Sequence, residues 1–402
     1  MRSPLSTVLC LLVSASLSSR AAEPARSFPF PKTQDGIHLE QVFNLQQFLH
    51  GTWSEETGVV DQVWGSYSAT LPPGMYNSFY VPISVDDGFS SNSHTVAWYQ
   101  ANHPDWLEYL CDQSTLAFQF DDTDRAPLDF ANPAVRAYQW SSAIDPALAA
   151  GYQSVAVDEL SLFNDFHRCG HFDSASHWVQ QYGGNGTDAR FRRDVLKWQK
   201  LTYRHIHRQS HTATMQLNRP YDLRSSADDN HLVMTTTDLL FDEGGFTNYG
   251  LDGDNYPGPA EWETIVGYLD YVQSQGICYT TNGEEPEATE DITPAERQWV
   301  IGNYLLVKNN CTYMYMTHRQ GYGDIVTFPE YDIAIGRPKG AKFQTQGVWE
   351  RKFTGGLTLV NPYDTTAVVT LPRGHWTDVN GGAVSSPVTL AHQAALILLK
   401  AD

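Results

Sequence analysis

Positive charge is scarce in this chain. Its 26 Lys and Arg face 46 Asp and Glu over 402 residues, a formal charge of −20. A surface of that sign repels phosphate, which argues against nucleic acid and anionic membranes as partners. Long apolar runs are also missing: after the first twenty-odd residues nothing approaches the ~18 apolar residues that a membrane span needs. There is no Gly-rich phosphate loop and no Gly-x-Ser-x-Gly elbow, so phosphate cradling and serine hydrolysis of that type lack their equipment. Neither an internal repeat nor a low-complexity tract is present, which removes repeat arrays and disordered linkers.

Cysteine is sparse as well, five residues in all. Cys10 lies in MRSPLSTVLCLLVSASLSSRAA, where a basic start at Arg2, an apolar run from Leu5 to Leu17 and small residues after it read as a secretory signal. The expectation is a signal peptide over residues 1–22, cleaved near 18–22, and an extracellular mature protein. Four cysteines then remain: Cys111, Cys169, Cys278 and Cys311. An even number in an exported chain permits two disulfides in any of three pairings, with free buried thiols as the alternative. Asn185-Gly-Thr187, in a Gly-rich loop, and Asn310-Cys-Thr312, beside an expected strand, are sequons.

What the chain does have is apolar and aromatic material, 41% hydrophobic and 12% aromatic residues, enough for a large core and for flat stacking surfaces. From about residue 36, short β-branched runs alternate with amphipathic stretches. Expected strands are His38–Leu45, Met75–Ile83, Leu116–Phe120 or Ala126–Phe130, Tyr152–Leu160, Thr212–Leu217, Leu239–Glu243, Ile277–Thr281 and Cys311–Thr317. Between them, helical patterns cover 94–110, 132–150, 190–209, 261–275 and 294–308. Eight strand-then-helix units in ~290 residues meet the requirement of a (β/α)8 barrel over 36–328. A doubly wound sheet would want a Gly-rich turn after the first strand, and VFNLQQF has none. Beyond 328 the helical period stops, and short alternating runs punctuated by Gly, Pro and Thr imply a small antiparallel β-domain over 329–402.

A barrel places its chemistry where strands end. Strand four ends in Asp158-Glu159 and strand six in Asp242-Glu243-Gly244-Gly245; both run from apolar residues straight into carboxylates, which are costly to bury without a role. Two opposed carboxylates are the minimum for glycosidic cleavage, one protonated to support the leaving oxygen and one ionised to attack or activate water. Asp158 reads as nucleophile or base and Glu243 as general acid, with the roles exchangeable and Glu159 and Asp242 as alternates. Because successive strand residues point oppositely, one member of each pair reaches the substrate. Other strand ends carry sugar-binding types: Asn44, Asp86 with Asp87, Asp129 with Asn132, Asn218 with Arg219 and Tyr221, Asn282 with Glu284, and His318 with Arg319. Two carboxylates need neither cofactor nor metal.

Weaker clusters compete. His167-x-Cys169-x-His171, with Asp165 and Asp173 nearby, has zinc-ligand types without a second ligand pair at a recognised spacing. His205, His207 and His211 fall on a basic helix whose outer face is solvated. Asp252-Gly-Asp254-Asn255 opens like a calcium loop but lacks the closing Glu.

The segments PLDFANPAVRAYQ, YQSVAVDEL, LLFDEGGF, FPEYDIAIGRPKG and FTGGLTLVNPYDTTAVVTLP resemble, in that order, proteins of the "hypothetical glycosyl hydrolase family 15" type. These are barrels related in style to polygalactosaminidase-like and α-galactosidase-like enzymes. The resemblance runs from about residue 36 to the C-terminus. It implies an Asp at the end of strand four and a Glu at the end of strand six, here Asp158 and Glu243. The expected substrate of that carboxylate pair is a poly- or oligosaccharide. Two rivals stand beside it: a secreted carbohydrate-binding barrel without turnover, and a metal-dependent hydrolase using His167, Cys169 and His171.

Overall fold

A computed structural model describes residues 29–45, 60–88, 92–250, 256–319, 321–323 and 325–401. The signal segment and Asp252–Asn255 lie outside the described residues. Eight strands close a barrel: β1 (Leu39–Val42), β2 (Val60–Trp64), β3 (Tyr76–Pro82), β4 (Ser154–Asp158), β5 (Thr214–Asn218), β6 (Leu239–Asp242), β7 (Cys278–Glu285) and β8 (Thr312–His318). Each strand pairs in parallel with the next, and β8 pairs back onto β1 through Leu39 and Met314. Among the described residues, seven α-helices accompany them: α1 (Val96–Asn102), α2 (Pro133–Gln139), α3 (Asp145–Ala150), α4 (Ala189–Gln209), α5 (Ala227–Met234), α6 (Pro259–Ser274) and α7 (Pro294–Val307).

Strands β4 to β8 fall within a few residues of where alternation puts them. The first third of the chain corrects the expected strand count. Met75–Ile83 contains the third barrel strand, because VDQVW at Val60–Trp64 precedes it as the second. That strand turns Gln62 into the barrel, so it lacks the uniform apolar run expected of a buried parallel strand. Neither Leu116–Phe120 nor Ala126–Phe130 enters the barrel. Ala126–Pro127 pairs antiparallel with Val85–Asp86, and Leu116, Ala126 and Leu128 are apolar because they join a satellite core with Tyr99, Trp106 and Leu107. The long helix expected over 94–110 is short. Thr95 caps α1 by accepting from Trp98 N, and Pro104 opens a separate 3₁₀ turn.

The two faces of each strand diverge sharply. Val155, Val157, Met215, Leu217 and Leu240 face the helices in the main core. Val42, Trp64, Ala156, Leu239, Phe241, Tyr313 and Tyr315 fill the barrel, with Trp64 and Phe241 4.9 Å apart between ring centres. Glu40 is fully buried in this interior, facing Gln62 and Thr280, and burial pushes its carboxyl up to about 8.

The C-terminal part is antiparallel. Strands β9 (Phe343–Thr345), β10 (Val348–Lys352), β11 (Gly356–Asn361), β12 (Ala367–Val369), β13 (Trp376–Thr377), β14 (Ala383–Val384), β15 (Val388–Leu390) and β16 (Ala394–Lys400) form a six-stranded sheet in the order β9-β10-β11-β16-β13-β14, with β12 and β15 as a separate pair. Leu357, Leu359, Leu398, Val369 and Leu390 pack between the two layers. The other sheet face lies on α7. A Cβ at Gly302 would come 2.6 Å from Ala395 Cβ, so only glycine admits this approach. Arg351 Nη1 donates to the carbonyls of Leu305, Leu306 and Lys308 and so caps α7 from the sheet.

The cysteines pair as Cys111–Cys169, closing 58 residues, and Cys278–Cys311, tying the starts of β7 and β8 across 33 residues. Loop-closure entropy assigns each bridge about 3–4 kcal/mol. Replacing either pair by Ala is expected to lower the denaturant midpoint accordingly, while an unchanged midpoint would remove the bridge from the account.

Candidate active site

Period-two alternation decides which rim groups point inward. On β4 the inward series is Ser154, Ala156, Asp158; on β5 Thr214, Gln216, Asn218. On β6 it is Leu239 and Phe241, continued by Glu243, and on β7 Cys278, Thr280, Asn282 and Glu284. One cleft of about 870 Å³ at this end of the barrel is lined by Asp158, Asn218, Glu243 and Glu284, with Tyr80 and Tyr322.

Asn218 holds the first two acids together. Its Nδ2 donates to Asp158 Oδ1 and to Glu243 Oε2, each at 2.8 Å. The two N–H bonds of an amide diverge by about 120°, which sets the accepting oxygens ~5 Å apart. Asp158 also accepts from Tyr80 OH at 2.7 Å and from Glu159 N at 2.7 Å. Three donors thus converge on the Asp158 carboxyl.

Glu243 sits in different surroundings. Burial first, and then the Asp158 charge, push its carboxyl up to about 7, against the donors Tyr322 and Asn218. Tyr322 OH contacts Glu243 Oε1 and lies 2.9 Å from Glu284 Oε1, which also accepts from Asn282 Nδ2 at 2.9 Å. A phenol has one proton to give. Both contacts are hydrogen bonds only if one of the two carboxyls carries a proton of its own.

The alternates are held by other partners. Glu159 takes a positive φ of 60° and, lining the same cleft, pairs with Arg125 Nη2 at 2.5 Å. Asp242 is buried in the wall, accepting from Tyr279 OH at 2.5 Å and from Gly245 N at 3.1 Å. The cleft also collects Arg219, whose Nη2 donates to Ser225 Oγ at 2.7 Å, and exposed Arg319.

The remaining sugar-binding candidates do not line it. Asn44 fixes the turn after β2 through Ser66 Oγ and Tyr67 N. Asp86 accepts from His94 N and Tyr99 OH ahead of α1. Asp129 accepts from Ala131 N and Gln181 Nε2, and Asn132 caps α2 through Ala134 N. Asn282 supports Glu284 from below, and His318 Nδ1 meets Thr289 Oγ1. These polar groups satisfy backbone and neighbours, the commoner use of a polar residue at a strand end. Tyr80, Arg125 and Tyr322 also line the cleft, although they lie inside a strand or in loops and carry no sequence pattern of their own.

The metal-dependent rival loses its sulfur, since Cys169 is bonded to Cys111 and offers no thiolate. His167 Nδ1 meets Gly184 O, and His171 lies 3.3 Å from Asp129. On α4, His205 and His207 pair with Asp145 and Asp238.

The sequence matches the model of the hypothetical glycosyl hydrolase family 15 over residues 85–357, more than half of the chain. The chain belongs to this family. The protein is therefore a glycoside hydrolase. No curated protein matches its sequence. Among solved structures, a family GH13_31 enzyme is similar with a TM-score of 0.54 at 10% identity, over 91% of this chain and 99% of the other. An Anoxybacillus α-amylase is similar with a TM-score of 0.50 at 10% identity, over 89% and 91%. A maltogenic α-amylase from Thermotoga neapolitana has a TM-score of 0.50 at 11% identity, over 90% and 96%. At such identities the likeness establishes the shared (β/α)8 architecture of this glycoside hydrolase and nothing finer.

Proposed function

We propose that this glycoside hydrolase is exported and cleaves a poly- or oligosaccharide with retention of configuration, Asp158 as nucleophile and Glu243 as general acid and then base. The observation that carries this reading is the Asn218 bridge. Carboxyls ~5–5.5 Å apart suit direct attack by one of them, whereas ~6.5–9.5 Å leaves room for an attacking water. Asp158, matched by three donors, attacks the anomeric carbon. Glu243 gives its proton to the leaving oxygen and afterwards takes one from the water that releases the sugar. Tyr322 is consistent with this assignment: its OH reaches both Glu243 and Glu284, so the two carboxyls compete for one phenol proton, and a proton held on Glu243 relieves that competition. Export is supported by the N-terminal pattern and by two disulfides of the kind that persist outside the cytosol.

The general acid must carry its proton, so kcat/KM is expected to fall as pH rises through about 7, the value at which burial and Asp158 hold Glu243. Tyr322→Phe removes a donor that favours the ionised form of Glu243 and should move that alkaline limb to higher pH. A profile flat from pH 6 to 9 would exclude Glu243 as the acid. The wider test is cleavage of a polysaccharide and aryl-glycoside panel by the mature protein; polysaccharide binding without any cleavage would favour the non-catalytic reading.

A further inference from the structure

Among the described residues, the two most exposed large apolar side chains on the molecule are Phe120, 73% exposed, and Leu223, 65% exposed. Both line the cleft that holds Asp158 and Glu243. Phe120 is held out by its backbone. It and Asp121 both take left-handed conformations, φ 54° and 58°, which a bulky side chain rarely adopts without support from its surroundings. That support is visible. Gln119, just before it, is buried and donates to Ser84 Oγ at 2.6 Å, and Asp122 N closes the turn onto Gln119 O at 2.9 Å. The loop is anchored from below and aims its ring at solvent.

Phe166, from the loop after β4, meets Phe120 edge-on with ring centres 5.0 Å apart and lines the same cleft. Arg224 ties that loop to the one after β5, pairing with Asp165 at 2.7 Å and Asp222 at 2.8 Å. Asp165 precedes Phe166 and Asp222 precedes Leu223, so the pairing sets the two apolar side chains on neighbouring loops of one rim. Core packing explains none of this exposure.

The chemistry that such a surface recognises is the C–H face of a pyranose, which is apolar and flat enough to stack on an aromatic ring. The carboxylates are half-buried at the strand ends while Phe120 is 73% exposed at the mouth of the cleft. A sugar on Phe120 is therefore not the one whose bond is broken. We propose that Phe120, backed by Phe166 and flanked by Leu223, is a binding subsite for a pyranose of the same chain, one or more units away from the cleaved bond. The substrate is then a chain of several sugars and not a monoglycoside. This rests on the catalytic reading of Asp158 and Glu243 only for where cleavage occurs; binding is independent of it.

The test is native electrophoresis through gels containing soluble neutral, amino-sugar or uronate polysaccharides. It compares the full-length mature protein as Glu243→Gln, to prevent turnover, with the same protein also carrying Phe120→Ala or Phe120→Tyr. The expected result is retardation by at least one polysaccharide, weakened about ten-fold by Phe120→Ala and preserved by Phe120→Tyr. Thermal unfolding of Phe120→Asn adds a readout free of ligand. Asn tolerates the left-handed region, so relief of backbone strain should leave the midpoint equal or higher. Unchanged retardation in Phe120→Ala, no retardation of Glu243→Gln in any gel, or a lowered midpoint in Phe120→Asn would each overturn the subsite. Failure of the catalytic reading looks different: wild-type protein retarded by a polysaccharide that it never cleaves.

Discussion

Asp158→Asn and Glu243→Gln are each expected to lower kcat on a cleaved polysaccharide by about 10³-fold or more, with folding intact. The two losses should differ in kind. Asp158→Asn removes the attacking oxygen anion and puts amide hydrogens where Glu159 N and Asn218 Nδ2 already donate, so every substrate suffers. Glu243→Gln removes only the proton source. An aryl glycoside whose phenol leaves without help should therefore lose far less in its first step than a sugar leaving group does. Asp242→Asn should act differently again. Its carboxyl holds Tyr279 and Gly245 N inside the barrel wall, so the change should fall on the unfolding midpoint first. Initial rates on both substrate types, beside unfolding curves for all three variants, check this. Parent-like turnover in Asp158→Asn would return Glu159 to consideration.

The second large effect is on stability. Glu40 is buried in the barrel interior with its carboxyl pushed up to about 8, while the ordinary value is 4.5. Between those two values the unfolded chain has released the proton and the native chain keeps it. Stability from this group is therefore complete below pH ~4, falls as pH rises, and levels off above about 8. At pH 7 the loss amounts to about 3 kcal/mol. Glu40→Gln keeps the shape and removes the ionisation, so it should raise stability by about that much at pH 7 and have little effect near pH 4. Other buried acids, including Glu285, are also raised. The informative quantity is thus the difference between parent and variant across pH, from urea unfolding. A variant no more stable than the parent at pH 7 and 8 would mean that Glu40 is ionised and paired in the native barrel.

The barrel was legible in the sequence from β4 onward because those strands are apolar or β-branched and their helices carry clear caps. Thr293 and Glu296, for instance, form a capping box at α7. The first third is less legible, for two physical reasons. A barrel interior accepts polar groups when they face each other, so Val60–Trp64 hid as VDQVW. The apolar Leu116–Phe120 meanwhile belongs to a satellite core. For the site, alternation in the sequence implies only that one member of each acidic pair faces inward, and the choice of Asp158 and Glu243 comes from the family resemblance; in the structure the inward series through Ala156 and Phe241 runs on to those two residues. The same count on β7 runs through Thr280 and Asn282 to Glu284, so that third acid was readable too. Tyr322 was not. It comes from the loop after β8 and meets Glu243 only once the barrel closes.

The most direct test of the account is the configuration of the first product, followed by ¹H NMR of the anomeric proton during cleavage of a substrate of known anomer. Two carboxyls bridged by one amide nitrogen predict a product with the anomer of the substrate, mutarotating only afterwards. First appearance of the opposite anomer would mean that water attacks directly, and would contradict Asp158 as nucleophile.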